Sequence, residues 1–117
     1  MNTVTIEVAD RHTSEAQFLQ AMTTGRPVGA YITFPNMQAL WATLTAERWD
    51  IVRAMWSAGP LTLREVARRV DRDVKGVLTD VHALLDAGVL EKAEDGRIVF
   101  PYDAVHVDFM MQAAALS

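Results

Sequence analysis

Two helical periodicities, separated by one charged triplet, restrict this chain more than any other feature. From Pro60 it reads Pro-Leu-Thr-Leu-Arg-Glu-Val-Ala-Arg-Arg-Val, then Asp71-Arg72-Asp73, then a second apolar run reaching Gly88. Leu63, Val66, Ala67 and Val70 fall at i, i+3, i+4 and i+7, one face of a helix. Thr62 stands where a side-chain oxygen can accept an orphan amide of that helix. Asp73 is placed to cap the next helix and suits the positive end of its dipole. Val74, Val77, Leu78, Val81, Leu84 and Leu85 repeat at helical spacing from there, and Gly88 suits a helix end. Val89–Lys92 and Arg97–Phe100 then flank Ala93-Glu94-Asp95-Gly96. Asp-Gly between apolar runs is a hairpin signal.

A helix of about two turns, a short turn, a longer helix and a hairpin match the outline of a winged helix-turn-helix. In that motif the leading, outward residues of the second helix meet base edges in the major groove of duplex DNA. Here those are Arg72, Asp73, Lys75, Gly76 and Thr79, with Asp80 and His82 behind them. Arg72, Lys75 and Thr79 are expected to face the groove. Thr62 and Arg64 are expected to meet phosphate near the start of the first helix. Lys92 and Arg97 are expected to serve the wing. Gly76 has two readings, close approach of backbone to DNA or a solvated position that tolerates glycine. Arg97 likewise either reaches the nucleic acid or pairs with Glu94 or Asp95.

Further residues carry a resemblance to a known family. They are Arg69-Val70, Arg72-Asp73-Val74-Lys75, Asp80-Val81, Leu84-Leu85, Ala87-Gly88, Asp95-Gly96-Arg97 and Pro101-Tyr102-Asp103. Thr45-x-x-Arg48-Trp49 and Val107-Asp108-Phe109 extend it over most of the chain. These resemble small prokaryotic proteins described as predicted transcriptional regulators, with a winged helix-turn-helix of the broad MarR/ArsR-like kind. The resemblance implies DNA binding, and in some cases a genomic setting beside toxin genes. The sequence departs from that pattern at Leu78 and Thr79, where more polar or basic residues are expected.

A net charge of -4 runs against the basic footprint usual for DNA binding. Its distribution does not. Residues 64–75 hold Arg64, Arg68, Arg69, Arg72 and Lys75 against Glu65, Asp71 and Asp73, a local +2. A focused footprint of this kind implies modest non-specific affinity and a marked salt dependence. There is no cysteine, which excludes a disulfide framework, a thiolate nucleophile and a cysteine-zinc site. The N-terminal residues lack the basic and apolar regions of a signal peptide, and no apolar run approaches a membrane span. A cytoplasmic protein is expected.

Upstream, Val4, Ile6 and Val8 alternate with polar residues, a strand pattern. Thr13 and Ser14 can cap a helix carrying Phe18, Leu19 and Met22, stopped by Gly25 and Pro27. Val28–Phe34 reads as a second strand. Asn36 caps a short helix with Met37, Leu40, Trp41 and Leu44, and Thr45 caps another with Trp49, Val52, Met55 and Trp56 on one face. After Pro101, Val105, Val107 and Phe109 alternate with His106 and Asp108, a third strand.

His12, His82 and His106 match no metal spacing. No phosphate loop, dinucleotide fingerprint or nucleophile elbow is present, so no catalytic residue, metal or cofactor is assigned. The expected fold is α+β, mostly α: a winged helix-turn-helix at 45–101, an N-terminal docking and dimerisation extension at 1–44, and a C-terminal strand and tail at 102–117 that joins the extension in a small sheet. The expected function is a non-enzymatic, homodimeric, sequence-specific regulator of transcription binding double-stranded DNA, most simply a repressor. The alternative is a protein-interaction module, such as an antitoxin with a neighbour-encoded partner, that also regulates its own operon.

Overall fold

The computed structural model describes residues 2–8 and 29–108. The helix expected after Thr13, and the residues from Phe109 onward, lie outside them. The described chain is α+β. Its elements are β1 (Thr3–Val8), β2 (Ala30–Phe34), α1 (Met37–Thr43), α2 (Ala46–Met55), α3 (Leu63–Val70), α4 (Val74–Asp86), β3 (Glu91–Lys92), β4 (Ile98–Val99) and β5 (Ala104–Asp108). No helix among the described residues is long and apolar enough to cross a membrane.

The three expected strands do form a sheet. Its order is β2-β1-β5, and both pairings are parallel. The whole helical and hairpin unit, from Met37 to Phe100, therefore lies in the connection between the two strands that flank β1. Val4 and Ile6 are fully buried on the central strand. Asn2 ties the start of β1 to the segment that enters β5: its backbone N–H donates to Asp103 Oδ2 at 2.7 Å, and its side-chain amide donates to the Pro101 carbonyl at 2.9 Å.

Three of the four described helices start where a short polar side chain reaches forward three residues. Asn36 accepts from the Ala39 amide, Thr45 from the Arg48 amide and Thr62 from the Glu65 amide. At α3 the exchange is reciprocal, because the Thr62 amide donates to Glu65 Oε1 at 3.0 Å. That capping box satisfies two donors that would otherwise lack partners. The hydrogen bonds from Thr62 hold the Glu65 carboxyl below the ordinary glutamate value. Asp73 takes the capping position of α4, but its side chain accepts no capping hydrogen bond, so that part of its expected role is corrected. α3 ends at Asp71, whose left-handed backbone (φ 54°, ψ 51°) sends its amide back to the carbonyls of Ala67 and Arg68. A short polar side chain tolerates that conformation better than most.

The core is one cluster. It runs from Ile6 and Phe34 of the sheet through Leu40, Ile51 and Met55 to Val66, Val81 and Phe100. Leu61 forms a β-bridge to Ile98, with reciprocal backbone hydrogen bonds of 2.7 and 2.8 Å, which fixes the hairpin beside the start of α3. Trp56 ties α2 to the C-terminal segment, packing at a tilt against Phe100 with ring centroids 5.2 Å apart and donating its Nε1–H to the Asp103 carbonyl at 2.9 Å.

Because the Thr62 cap acts on α3 alone, Thr62→Ala is expected to lower the unfolding free energy by about 1 kcal/mol and Thr62→Ser to retain most of it. Urea titration of the three proteins measures both.

Candidate nucleic-acid interface

The expected interface begins at Arg72, and the structure turns that residue inward. Arg72 Nη1 lies 2.8 Å from Asp80 Oδ2, and its Nη2 lies 3.7 Å from Glu47 Oε2. The 2.8 Å approach misses hydrogen-bond geometry, so charge alone holds those two buried atoms together. Asp80 is corrected as well. It was expected on the outer side of α4, but it is buried at 8% exposure. Its second oxygen accepts from Arg48 Nε at 2.9 Å. Arg48 also donates to the carbonyls of Ala42 and Thr43, at the end of α1. Burial pushes the Asp80 carboxyl up, but the Arg48 hydrogen bond and the positive charge of Arg72 and Arg48 outweigh it and hold the group below the ordinary aspartate value of 3.8. The two arginines thus belong to a structural ion triad joining α2, the α3–α4 turn and α4.

Packing does not require glycine at Gly76. A Cβ built there would lie 3.4 Å from Arg72 Nη2, because the guanidinium lies over that part of α4.

The other expected residues occupy the surface. Arg64 is exposed on α3, Asp73, Lys75 and Thr79 are exposed on α4, and Lys92 is exposed on β3. The Thr79 hydroxyl donates to the Lys75 carbonyl at 3.5 Å. The Thr62 hydroxyl oxygen is engaged by the cap. Arg97 resolves in favour of pairing: its Nε–H donates to Asp95 Oδ2 at 2.6 Å, and it reaches the Pro60 carbonyl at 3.5 Å. The backbone and side-chain hydrogen bonds from Arg97 lower the Asp95 pKa. The hairpin turn itself forms as expected, with Gly96 at φ 87° after a turn closed by its amide to the Ala93 carbonyl.

The surface sorts its cations. Arg48, Arg53, Arg72 and Arg97 pair with carboxylates. Arg64, Arg68, Arg69, Lys75 and Lys92 meet none among the described residues. The unpaired set falls on α3, the first turn of α4 and the hairpin. Arg68 had not been singled out by its position, although it is exposed one turn beyond Arg64. Arg69 lies over α2, donating to the Ala54 carbonyl at 3.3 Å. With Asp50, Arg53, Ala54, Val70 and Arg72 it lines an open groove of about 440 Å³. No group of three or more His, Asp or Glu among the described residues is arranged to hold a metal ion.

Fold and surface together define an α+β protein that displays unpaired cations on two consecutive helices and a hairpin. It belongs to the HVO_A0114 family, whose model matches residues 43–107. No curated protein and no solved structure matches the chain.

Asp80→Asn is expected to cost about 2–3 kcal/mol at pH 7, less than a fully buried pair because both arginines keep some solvent. A carboxyl with a lowered folded pKa stabilises above its unfolded pKa and loses that contribution as pH falls through the folded value. The native chain should therefore lose stability below about pH 4, and the variant should show a smaller acid dependence; chemical denaturation across pH measures this. Gly76→Ala should change stability by between zero and a gain of roughly 1 kcal/mol, since helix propensity improves and the Arg72 side chain can shift. A clear loss would show that the 3.4 Å approach is tighter than it looks.

Proposed function

We propose that residues 45–101 form a winged helix-turn-helix through which the protein binds double-stranded DNA, acting as a homodimeric regulator of transcription. The observation that carries this reading is the sorting of cations. The interior Asp80 neutralises Arg48 and Arg72, which hold the fold, while the cations that meet no carboxylate among the described residues gather on α3, α4 and the hairpin. Phosphate contacts need that arrangement, because each cation placed against the backbone releases condensed counterions. An acidic chain then repels DNA from its remaining faces. The order of elements supports the motif: α2 packs behind the α3–turn–α4 pair, and the Leu61–Ile98 bridge seats the hairpin next to them.

Within this reading α4 enters the major groove with Lys75 and Thr79 outward. Arg64 and Arg68 contact phosphate, and Lys92 serves the wing. Arg72 is a positioning residue that fixes α4 through Asp80. Two copies would present their α4 helices to half-sites about 34 Å apart or a multiple of it.

The test is binding to random duplexes at several salt concentrations. Affinity should fall steeply as salt rises, and Arg64→Ala or Arg68→Ala should each reduce the logarithmic salt slope by about one. Arg53→Ala, which removes a cation already paired with Asp50, should leave the slope unchanged. Absence of any salt-sensitive shift with the native chain would reject the reading.

A further inference from the structure

The outward face of α4 has an apolar component that phosphate contact leaves unexplained. Val74 and Leu78 lie one turn apart, and each is 38% exposed. Lys75, Thr79 and His82 are exposed on the same helix. Large exposed hydrophobic side chains are few among the described residues. Of the others, Trp56 packs against Phe100, while Trp41 and Val107 sit on α1 and β5. Single exposed apolar residues need no explanation. A pair on consecutive turns of one helix, interleaved with a lysine and a hydroxyl, is a different case.

The charge around the pair selects its occupant. Lys75 sits beside it, and with Arg64 and Arg68 on the preceding helix these cations outnumber the exposed Asp71 and Asp73 at the helix start, so the matching surface is anionic with apolar groups set within it. The major-groove edge of duplex DNA has one such group, the C5-methyl of thymine, lying between phosphate ridges. Resting on the DNA-binding reading above, we infer that Val74 and Leu78 are specificity-determining residues that pack on thymine methyl groups, with the methyl of Thr79 available for a third contact. Their Cα atoms are about 6 Å apart along the helix axis, so the two reach neighbouring thymines of one half-site. Lys75 supplies the adjoining polar contact, to phosphate or to the acceptor edge of guanine.

The experiment uses the full chain and a duplex recovered by selection from random sequence at low salt. The same duplex is then made with uracil in place of every thymine of the half-site, which keeps the hydrogen-bonding groups of each base and removes only the methyl. The native chain should bind the uracil duplex more weakly, by about fourfold for each contacted methyl, the value of one buried carbon. Leu78→Ala, at a half-exposed position that leaves the fold intact, should narrow the difference between the two duplexes without altering the salt slope. Equal affinity of the native chain for both duplexes, or a selected half-site without thymine, would overturn the inference while leaving DNA binding in place. Failure to bind any duplex would overturn both.

Discussion

A carboxylate that has left water must be met by positive charge, and Asp80 is where this fold meets that demand. An unpaired buried carboxylate would take up a proton or unfold its surroundings. Arg48 from α2 and Arg72 from the α3–α4 turn stand on either side of it at 2.9 and 2.8 Å. Arg48 Nη1 donates to the last carbonyls of α1. One charge set therefore joins α1, α2, the turn and α4. Hydrophobic packing tolerates some sliding of helix on helix; a carboxylate gripped from two sides tolerates much less. The angle at which α4 leaves the turn is thus set by ionic geometry as well as by Val77, Val81 and Leu84 beneath it.

What could be read from the sequence follows the range of the interaction responsible. Asn36, Thr45 and Thr62 were legible because a cap acts over three residues, and residue type and spacing both show it. The Ala93–Gly96 turn was legible for the same reason. The strands at 3–8 and 104–108 showed in their alternation and that at 30–34 in its β-branched and aromatic content, but parallel and antiparallel strands share these signals. Only the fold reveals that β1 stands between the other two. The inward turn of Arg72 was harder to see, since its partner is eight residues ahead. Asp80 falls at i+3 from Val77 but just outside the arc of apolar residues on this helix, so spacing alone did not mark it for burial. Its second partner, Arg48, lies 32 residues away in sequence, beyond the reach of any local pattern.

The same chain of cause changes how the charged surface is understood. Counted along the chain, residues 64–75 offer five cations, and all five look available to a polyanion. Counted in the fold, Arg72 is committed to Asp80 and Arg69 is laid over α2, while Arg64, Arg68 and Lys75 stay on the outside. Burial of the acid removes a cation from the footprint and uses it to hold the helix that carries the rest. The outward cations and the charge inside the fold are therefore not independent features of this protein.

The roll of α4 about its own axis links the triad to the proposed reading of thymine. Six apolar residues, Val74, Val77, Leu78, Val81, Leu84 and Leu85, compete for the buried side of this helix. At about 100° per residue they span an arc of roughly 120°, centred near Val81, and Asp80 falls beyond its edge. If apolar burial alone decided, the helix would centre that arc on the core and leave Asp80 at the solvent edge. The observed helix is rolled the other way: Val77, Asp80, Val81 and Leu84 are buried, and Val74 and Leu78 are turned outward. The attraction of Asp80 for two guanidiniums accounts for the direction of that roll. The apolar pair on the outer face is then a consequence of the ionic core, and a replacement that dissolves the triad should allow α4 to turn back and withdraw Leu78 from the surface it is proposed to read with.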